Sequence, residues 1–382
     1  MSQGSGDGRR QTAGAERPSR AAPLRHLFPH GHGQLPRAAL RTSIGFIAPD
    51  EGELHHRRKK RVLEGPKSLV FFDFKKMNEC SFISFGPLEV LLASGAVRVV
   101  RQPGTGSNPA GQLRSLVHLN PDHPGFNDRA YRRRRDDIAR IALEYEASTA
   151  VAQVYYTPGE HGVWRQVQSC LWPLHERSVC TPLLEAGRKL SMDRRCIPQL
   201  EDINQQLRRR TGFRMEPVAG LVSPRTFMRY LGRRIFLSTQ YIRHHSQPFY
   251  TPEPDVVHEL VGHAATLVHP GIAEVNRLLG QAADVANDTE MVRVDRVYWY
   301  TMEFGVLAEN GATKAYGAGL LSSCGELEAY ASTATLMDWD LERMAETAFD
   351  PTMFQSTLFV APSFTHMLVD VSRWVRNGDW RD

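Results

Sequence analysis

The chain has 382 residues, of which 41% are hydrophobic and 23% charged, with a formal net charge of +5; that length allows a sizeable enzymatic core with an appendage. No run approaches the roughly 18–20 apolar residues of a membrane span, and no hydrophobic stretch followed by a small-residue cleavage site opens the chain, so neither membrane embedding nor export is expected and the cytoplasm is the expected location. The five cysteines form no C-x-x-C pair and are odd in number, which fits reduced thiols.

Residues 1–61 are rich in Gly, Pro, Ser, Ala and Arg without helical or strand periodicity; such a composition buries too little apolar surface to offset ordering entropy, and a disordered basic tail is expected. "HHRRKKR" at 55–61 reads as a solvated charge run, with a nucleic-acid tag as the alternative, and translation from Met77 is another possible start. Within 62–112, "SLVFFDF" at 68–74 predicts a strand and "FGPLEVLLASGAVRVV" a short helix and a further strand, a small α+β element or regulatory-domain remnant. "RQPGTGSNPAGQ" at 101–112 reads as a linker. From about 113 to 382 a mainly helical domain is expected. It opens with a turn and a helix whose Ile138, Ile141, Ala142 and Tyr145 share a face. The run Arg132 to Arg135 points in four directions and is followed by Asp136 and Asp137, so it is read as a solvated, ion-paired surface. Segments 163–179 and 197–212 also carry helical periodicity, and strands are expected near "FRMEPVAG" and "RRIFLST".

The stretch "PDVVHELVGHAATLVHP", residues 254–270, nearly spells the zinc-protease pattern H-E-x-x-H and then misses it. His258 and His263 are five apart instead of four, and five steps of an ideal helix turn about 500°, leaving the imidazoles roughly 140° apart. The pair converges only if the helix is distorted, for which Gly262 leaves room. A third ligand is offered by Glu303, in a segment, "VYWYTMEFGVLAE", that reads as a helix apolar nearly all round; a carboxylate there needs a partner or a cation. Two histidines and one carboxylate form the facial triad of non-haem Fe(II) oxygenases. The bland alternative makes the histidines satisfied core residues and pairs Glu303 with an arginine. A zinc hydrolase with Glu259 as base is disfavoured by the spacing, and a nucleic-acid-binding protein would rest on the basic runs alone.

Six fragments, two of them overlapping these stretches, carry a wider pattern: "HPGFNDRAYR", "IPQLEDINQQLRRRTGFRMEPVAGLVSPRTF", "TQYIRH", "YTPEPDVVHELVGH", "YWYTMEFGV" and "KAYGAGLLSSCGELEAY". In order and spacing they resemble the pterin-dependent aromatic amino acid hydroxylases, over roughly 118–376. The resemblance implies that family's catalytic fold, a helical basket with short strands, and a monooxygenase in which Fe(II) and a tetrahydropterin together activate O₂ to hydroxylate the ring of a free aromatic amino acid. It makes His258, His263 and Glu303 the iron ligands. It assigns the pterin to Phe227, the backbone of Gly220, Leu221 and Val222, and Glu259. Arg243 would grip the substrate carboxylate; Thr251 and Ser322 would help seat the substrate backbone and the iron ligands. Pro254, Trp299, Phe304 and Gly319 would shape the ring pocket, with Asp255 partnering a histidine.

For the substrate, the resemblance places a tryptophan at Trp299 in phenylalanine- and tyrosine-type members and a histidine at the position of Tyr250 in tyrosine-type ones, which together imply L-phenylalanine converted to L-tyrosine. Meta-hydroxylation, or hydroxylation of tyrosine or tryptophan by the same mechanism, are the alternatives. The chain departs from relatives at Ala264–Ala265, where many have a proline, and at Leu237, a polar position in animal members. Without the long C-terminal helix of animal relatives, a monomer or dimer is expected, and neither a membrane nor a nucleic acid as partner.

Overall fold

The computed structural model describes residues 116–147 and 149–381. The basic tail 1–61, the α+β element and the 101–112 linker expected from sequence lie outside the described residues. Helix α1 (Arg129–Leu143) begins where Asp128 accepts hydrogen bonds from the Ala130 and Tyr131 amides at 2.8 and 3.0 Å, satisfying two otherwise unpaired donors of its first turn. The expectation of a wholly solvated arginine run fails at Arg135, whose side chain is 1% exposed and lies 2.8 Å from Glu253. Its position explains this: Arg135 stands three and four residues before the buried Ile138 and Ala139, hence on the inward face. There the guanidinium also stacks 3.2 Å above the Tyr241 ring, a desolvated cation–π contact.

Helix α2 (Pro158–Ser178) starts in a reciprocal capping box between Thr157 and Glu160, and buries Val163, Trp164, Val167 and Leu171 along one stripe. Each such side chain contributes about 1.5–3 kcal/mol of burial. After α3 (Thr181–Lys189) comes α4 (Leu200–Thr211), stopped by Gly212 in the left-handed region at φ 74°. Strand β1 (Arg214–Pro217), helix α5 (Pro224–Gly232) and strand β2 (Ile235–Ser238) follow, the two strands pairing in parallel with Arg214 opposite Ile235. These are the strands expected from "FRMEPVAG" and "RRIFLST".

The next element is a π-helical segment, His258–Ala264, continued by the short α6 (Ala265–Leu267) and then α7 (Pro270–Val285). Helix α8 (Asp288–Tyr298) runs directly into a second π-helical turn, Trp299–Glu303. The sequence expectation of one continuous helix through "VYWYTMEFGVLAE" is corrected here: the helix stops at Glu303, and Val306–Glu309 is strand β3. β3 turns back into β4 (Ala312–Ala315) through Asn310 and Gly311, both at positive φ (53° and 74°), the backbone a tight hairpin demands. Helices α9 (Ala318–Ser322) and α10 (Cys324–Thr333), strand β5 (Thr335–Asp338), helix α11 (Leu341–Glu346), strand β6 (Thr357–Ala361) and helix α12 (Phe364–Asn377) complete the described chain. The second sheet has the order β4-β3-β6-β5, with β6 parallel to both neighbours. The two π-helical segments sit in the main core, among Val257, Leu260, Val261, Ala264, Tyr300 and Met302. Among the described residues no helix is long and apolar enough to cross a membrane.

Candidate metal and cofactor site

The surplus residue between His258 and His263 is absorbed by the backbone. In a π-helix the hydrogen bonds run from i to i+5 and the turn is wider than in an α-helix, so residues five apart come onto one side. His258 Nε2 and His263 Nε2 stand 2.9 Å apart. Gly262 permits this: a Cβ there would lie 2.6 Å from the Ala318 carbonyl oxygen, so only glycine lets the wide turn press against α9.

The second π-helical turn delivers Glu303 to the same point. Its carboxylate lies 3.0 Å from His263 Nε2 and 3.7 Å from His258 Nε2. Ligands about 2.1 Å from a metal in adjacent positions are about 3 Å from each other; the His258–His263 and His263–Glu303 separations match that spacing, and the His258–Glu303 separation of 3.7 Å is wider. One oxygen of Glu259 also comes within 4.8 Å of the imidazole nitrogens, but that carboxylate is engaged from behind by the Thr239 amide and hydroxyl, each at 3.0 Å. Glu303 is the closer carboxylate.

The tautomer of His258 follows from its neighbours. Ser322 Oγ donates to the carbonyl of Ala318 at 2.9 Å or Gly319 at 3.1 Å, so it accepts from His258 Nδ1, 2.9 Å away. The proton on Nδ1 leaves the Nε2 lone pair facing His263 and Glu303, the usual device for orienting a metal-binding imidazole. The electrostatics agree. Burial, aided by the neighbouring His263, pushes the His258 pKa down to about 4. Burial also opposes charge on His263, but Glu303 outweighs it and the pKa of His263 rises. For Glu303, burial favours the neutral acid, yet the attraction and hydrogen bond of His263 hold it below the usual carboxylate range. Burial raises Glu259 to about 7.

Around this cluster the remaining candidates divide. Arg243 is buried and clamped by Asp255, with Nε and Nη2 bonded to its two oxygens at 2.9 and 2.7 Å. The second terminal nitrogen, Nη1, makes no hydrogen bond among the described residues. Asp255, expected to partner a histidine, meets His258 through its backbone, accepting from the N–H groups of Arg243 at 2.8 Å and His258 at 3.3 Å, while Ser322 takes the imidazole. Trp299 stacks on Phe349 at 4.1 Å and 7°, tilts against Phe304 at 4.7 Å, and donates to Gln355 Oε1 at 2.9 Å. Gly319 accommodates the Phe304 ring, since a Cβ would meet Cζ at 2.7 Å. Pro254 offers its carbonyl to the Thr239 and Tyr241 hydroxyls, Thr251 bonds the Glu253 carbonyl at 2.7 Å, and Tyr250 is half exposed.

Phe227 on α5 sits edge-on to Phe236 at 5.2 Å and to Tyr298 at 5.8 Å, and Phe236 in turn lies 4.4 Å from the His263 ring. Gly220, Leu221 and Val222 precede α5 as a partly exposed loop whose backbone groups make no hydrogen bonds among the described residues. An aromatic face beside unpaired amides and carbonyls suits a flat polar heterocycle. Three contributors escaped the sequence: Phe349 and Gln355, which hold Trp299, and Tyr298, a buried hydroxyl beside Glu303 with no well-formed hydrogen bond. Only Tyr298 left a trace, its position five residues before Glu303 matching the π-helical spacing. None of these residues lines the cavity of about 300 Å³ between Thr181–Lys189 and Val268–Pro270.

Residues 113–379 match the family model of biopterin-dependent aromatic amino acid hydroxylases. The chain is 42% identical over 353 residues to tyrosine 3-monooxygenase of Mus musculus, covering 86% of this chain and 69% of that protein. It is 39% identical over 271 residues to the chloroplastic phenylalanine 4-monooxygenase of Pinus taeda, covering 69% and 75%. The structure of Chromobacterium violaceum phenylalanine hydroxylase with bound iron(III) and 7,8-dihydrobiopterin superposes with a TM-score of 0.55 at 26% identity, covering 63% of this chain and 92% of that one. The matched region spans about half to three quarters of the length of the curated relatives it matches.

Proposed function

The chain belongs to the biopterin-dependent aromatic amino acid hydroxylases, and from that membership we propose that it converts free L-phenylalanine to L-tyrosine with iron held by His258, His263 and Glu303. The observation that carries the reading is the meeting of those three groups, 2.9 and 3.0 Å apart at their closest, on two π-helical turns. The donor set, two neutral-capable imidazoles and a carboxylate in largely buried surroundings, fits a borderline divalent iron that keeps positions open for other ligands. When bound, the iron and a tetrahydropterin supply the activation of O₂.

The chain's own residues do the rest. Ser322 fixes the ring of His258 so that Nε2 presents its lone pair. Phe227 offers a ring face and Gly220, Leu221 and Val222 offer free backbone donors and acceptors to the pterin edge, and Glu259, beside the histidines, is the carboxylate for the cofactor. Its pKa near 7 lets Glu259 hold or release a proton there. Arg243 keeps Nη1 for the substrate carboxylate while Asp255 fixes the rest of its fork, and Thr251 and Tyr250 are assigned to the substrate backbone. Pro254, Trp299, Phe304 and Gly319 wall the ring pocket, and Trp299, pinned between Phe349 and Gln355, limits its depth. Trp299 speaks against an indole substrate, and Tyr250 stands where the resemblance gives tyrosine-type members a histidine. Hydroxylation of tyrosine is the second reading, favoured by the 42% identity to the mouse tyrosine 3-monooxygenase.

The test is anaerobic reconstitution with Fe(II) and a tetrahydropterin, followed by O₂ and a mixture of phenylalanine, tyrosine and tryptophan, with products identified by mass and retention time. Pterin-dependent formation of tyrosine, lost in His258→Ala, is the expected result. DOPA, meta-tyrosine or 5-hydroxytryptophan would keep the chemistry and overturn the substrate; no product from an iron-loaded protein would overturn the reaction.

A further inference from the structure

A second cluster of ligand-type side chains lies outside this site. One nitrogen from each of His244 and His245 and one oxygen of Asp128 all fall within 4.8 Å of one another. Asp128 divides its labour: Oδ1 caps α1 through the Ala130 and Tyr131 amides, while Oδ2 faces His244 Nε2 at 3.2 Å. On the far side of the His244 ring, Nδ1 lies 2.7 Å from Ser246 Oγ. The Ser246 amide also donates to Nδ1, at 3.3 Å, so in the metal-free chain Nε2 carries the ring proton toward Asp128; a cation binding at Nε2 moves that proton to Nδ1, where Ser246 Oγ can accept it. His244 is buried, with the Tyr131 ring edge-on at 4.9 Å, so its ring is held in place, whereas His245 is exposed and keeps the site open to solvent. The adjacent His123 accepts the Gly125 amide on Nδ1 at 2.9 Å and is kept neutral by burial, so it places no positive charge beside an incoming cation.

We propose that Asp128, His244 and His245 form a second metal site, selective for a borderline divalent cation such as Zn²⁺ or Co²⁺, which two imidazoles and one carboxylate suit. The metal bridges two segments 116 residues apart and fastens the start of α1 to the loop that carries Arg243. It is independent of the iron reading, since the site shares no residue with His258, His263 and Glu303.

The probe is Co(II), titrated into the metal-free full chain and followed by visible d–d absorption and by the shift in thermal midpoint. Because His258, His263 and the histidines of the N-terminal region also offer nitrogen, the site is scored as the difference between wild type and variants. His245→Ala alters an exposed side chain, and Asp128→Asn keeps a competent helix cap. The expected result is that His245→Ala loses one equivalent of Co(II) and part of the thermal shift, that Asp128→Asn weakens the same equivalent at least tenfold, and that His258→Ala retains it. Unchanged stoichiometry, affinity and spectrum in His245→Ala overturn the proposal.

Discussion

The Ser322 hydroxyl stands 2.9 Å from His258 Nδ1 and is itself turned by the Ala318 and Gly319 carbonyls. A side chain 64 residues away in sequence thus decides which nitrogen of the first histidine is free. Replacing it by alanine removes the acceptor without touching a ligand. Ser322→Ala is expected to weaken Fe(II) binding by about 10–100-fold while leaving the far-UV circular dichroism unchanged. Equal affinity in a competition titration with a chelator would show that the hydroxyl is not what orients the ring.

Gly262→Ala ordinarily favours a helix by about 1 kcal/mol. Here the added methyl meets the Ala318 carbonyl oxygen at 2.6 Å, and that contact is backbone on a buried helix that has little freedom to retreat. The steric term wins, and a net loss of about 1–3 kcal/mol is expected, together with loss of stoichiometric metal binding as α9 and Ser322 are displaced. Urea unfolding of the two proteins measures the first, and an unchanged midpoint would refute the close-packing argument.

The substrate-binding role proposed for Arg243 and its ion pair with Asp255 separate on mutation. Arg243→Lys keeps the charge but not the planar fork, so KM for the amino acid is expected to rise on the order of tenfold with a smaller change in kcat. Arg243→Ala also leaves Asp255 buried without its counter-ion and is expected to cost about 3–5 kcal/mol of stability. Steady-state kinetics with the lysine variant decide the case: an unaltered KM would place the substrate carboxylate elsewhere.

Glu326 links the protein's stability to pH. Burial raises its pKa from the ordinary 4.5 to about 7, against the opposing hydrogen bond from the Gln355 amide, 2.9 Å away. A carboxyl whose folded pKa is raised binds its proton more tightly in the native state, so its contribution is fully present below pH 4.5, declines as pH rises and is gone above about 7. Glu326→Gln retains an acceptor for Gln355 and cannot ionise. The decline between pH 4.5 and 7 in urea-derived stability should therefore be shallower in the variant; parallel curves would assign the pH dependence to other groups.

The convergence of His258, His263 and Glu303 was legible because two histidines and a carboxylate in apolar surroundings are chemically conspicuous whatever the backbone does. The backbone was not. Periodicity assumes 3.6 residues per turn, and a one-residue surplus reads as a mismatch until the wider turn is seen, which is why His258–Ala264 looked unfavourable and Trp299–Val306 looked like uninterrupted helix. Arg135 misled for a related reason: four consecutive arginines suggest solvent, and only the register set by Ile138 and Ala139 turns one of them inward to a glutamate and a tyrosine far along the chain. Phe349 and Gln355 left no signal because each is an ordinary residue whose importance lies in touching Trp299.

The π-helical spacer makes the site unusually sensitive to length. Deleting one of Leu260, Val261 or Gly262 would convert the stretch into H-E-x-x-H, return it to the ordinary helical pitch, and place Glu259 in the register that hydrolytic zinc sites use for a base. Substitutions within the spacer change packing, whereas a single in-frame codon loss would exchange one donor arrangement for another. In this chain the distance between an oxygen-activating geometry and a protease-like motif is one residue.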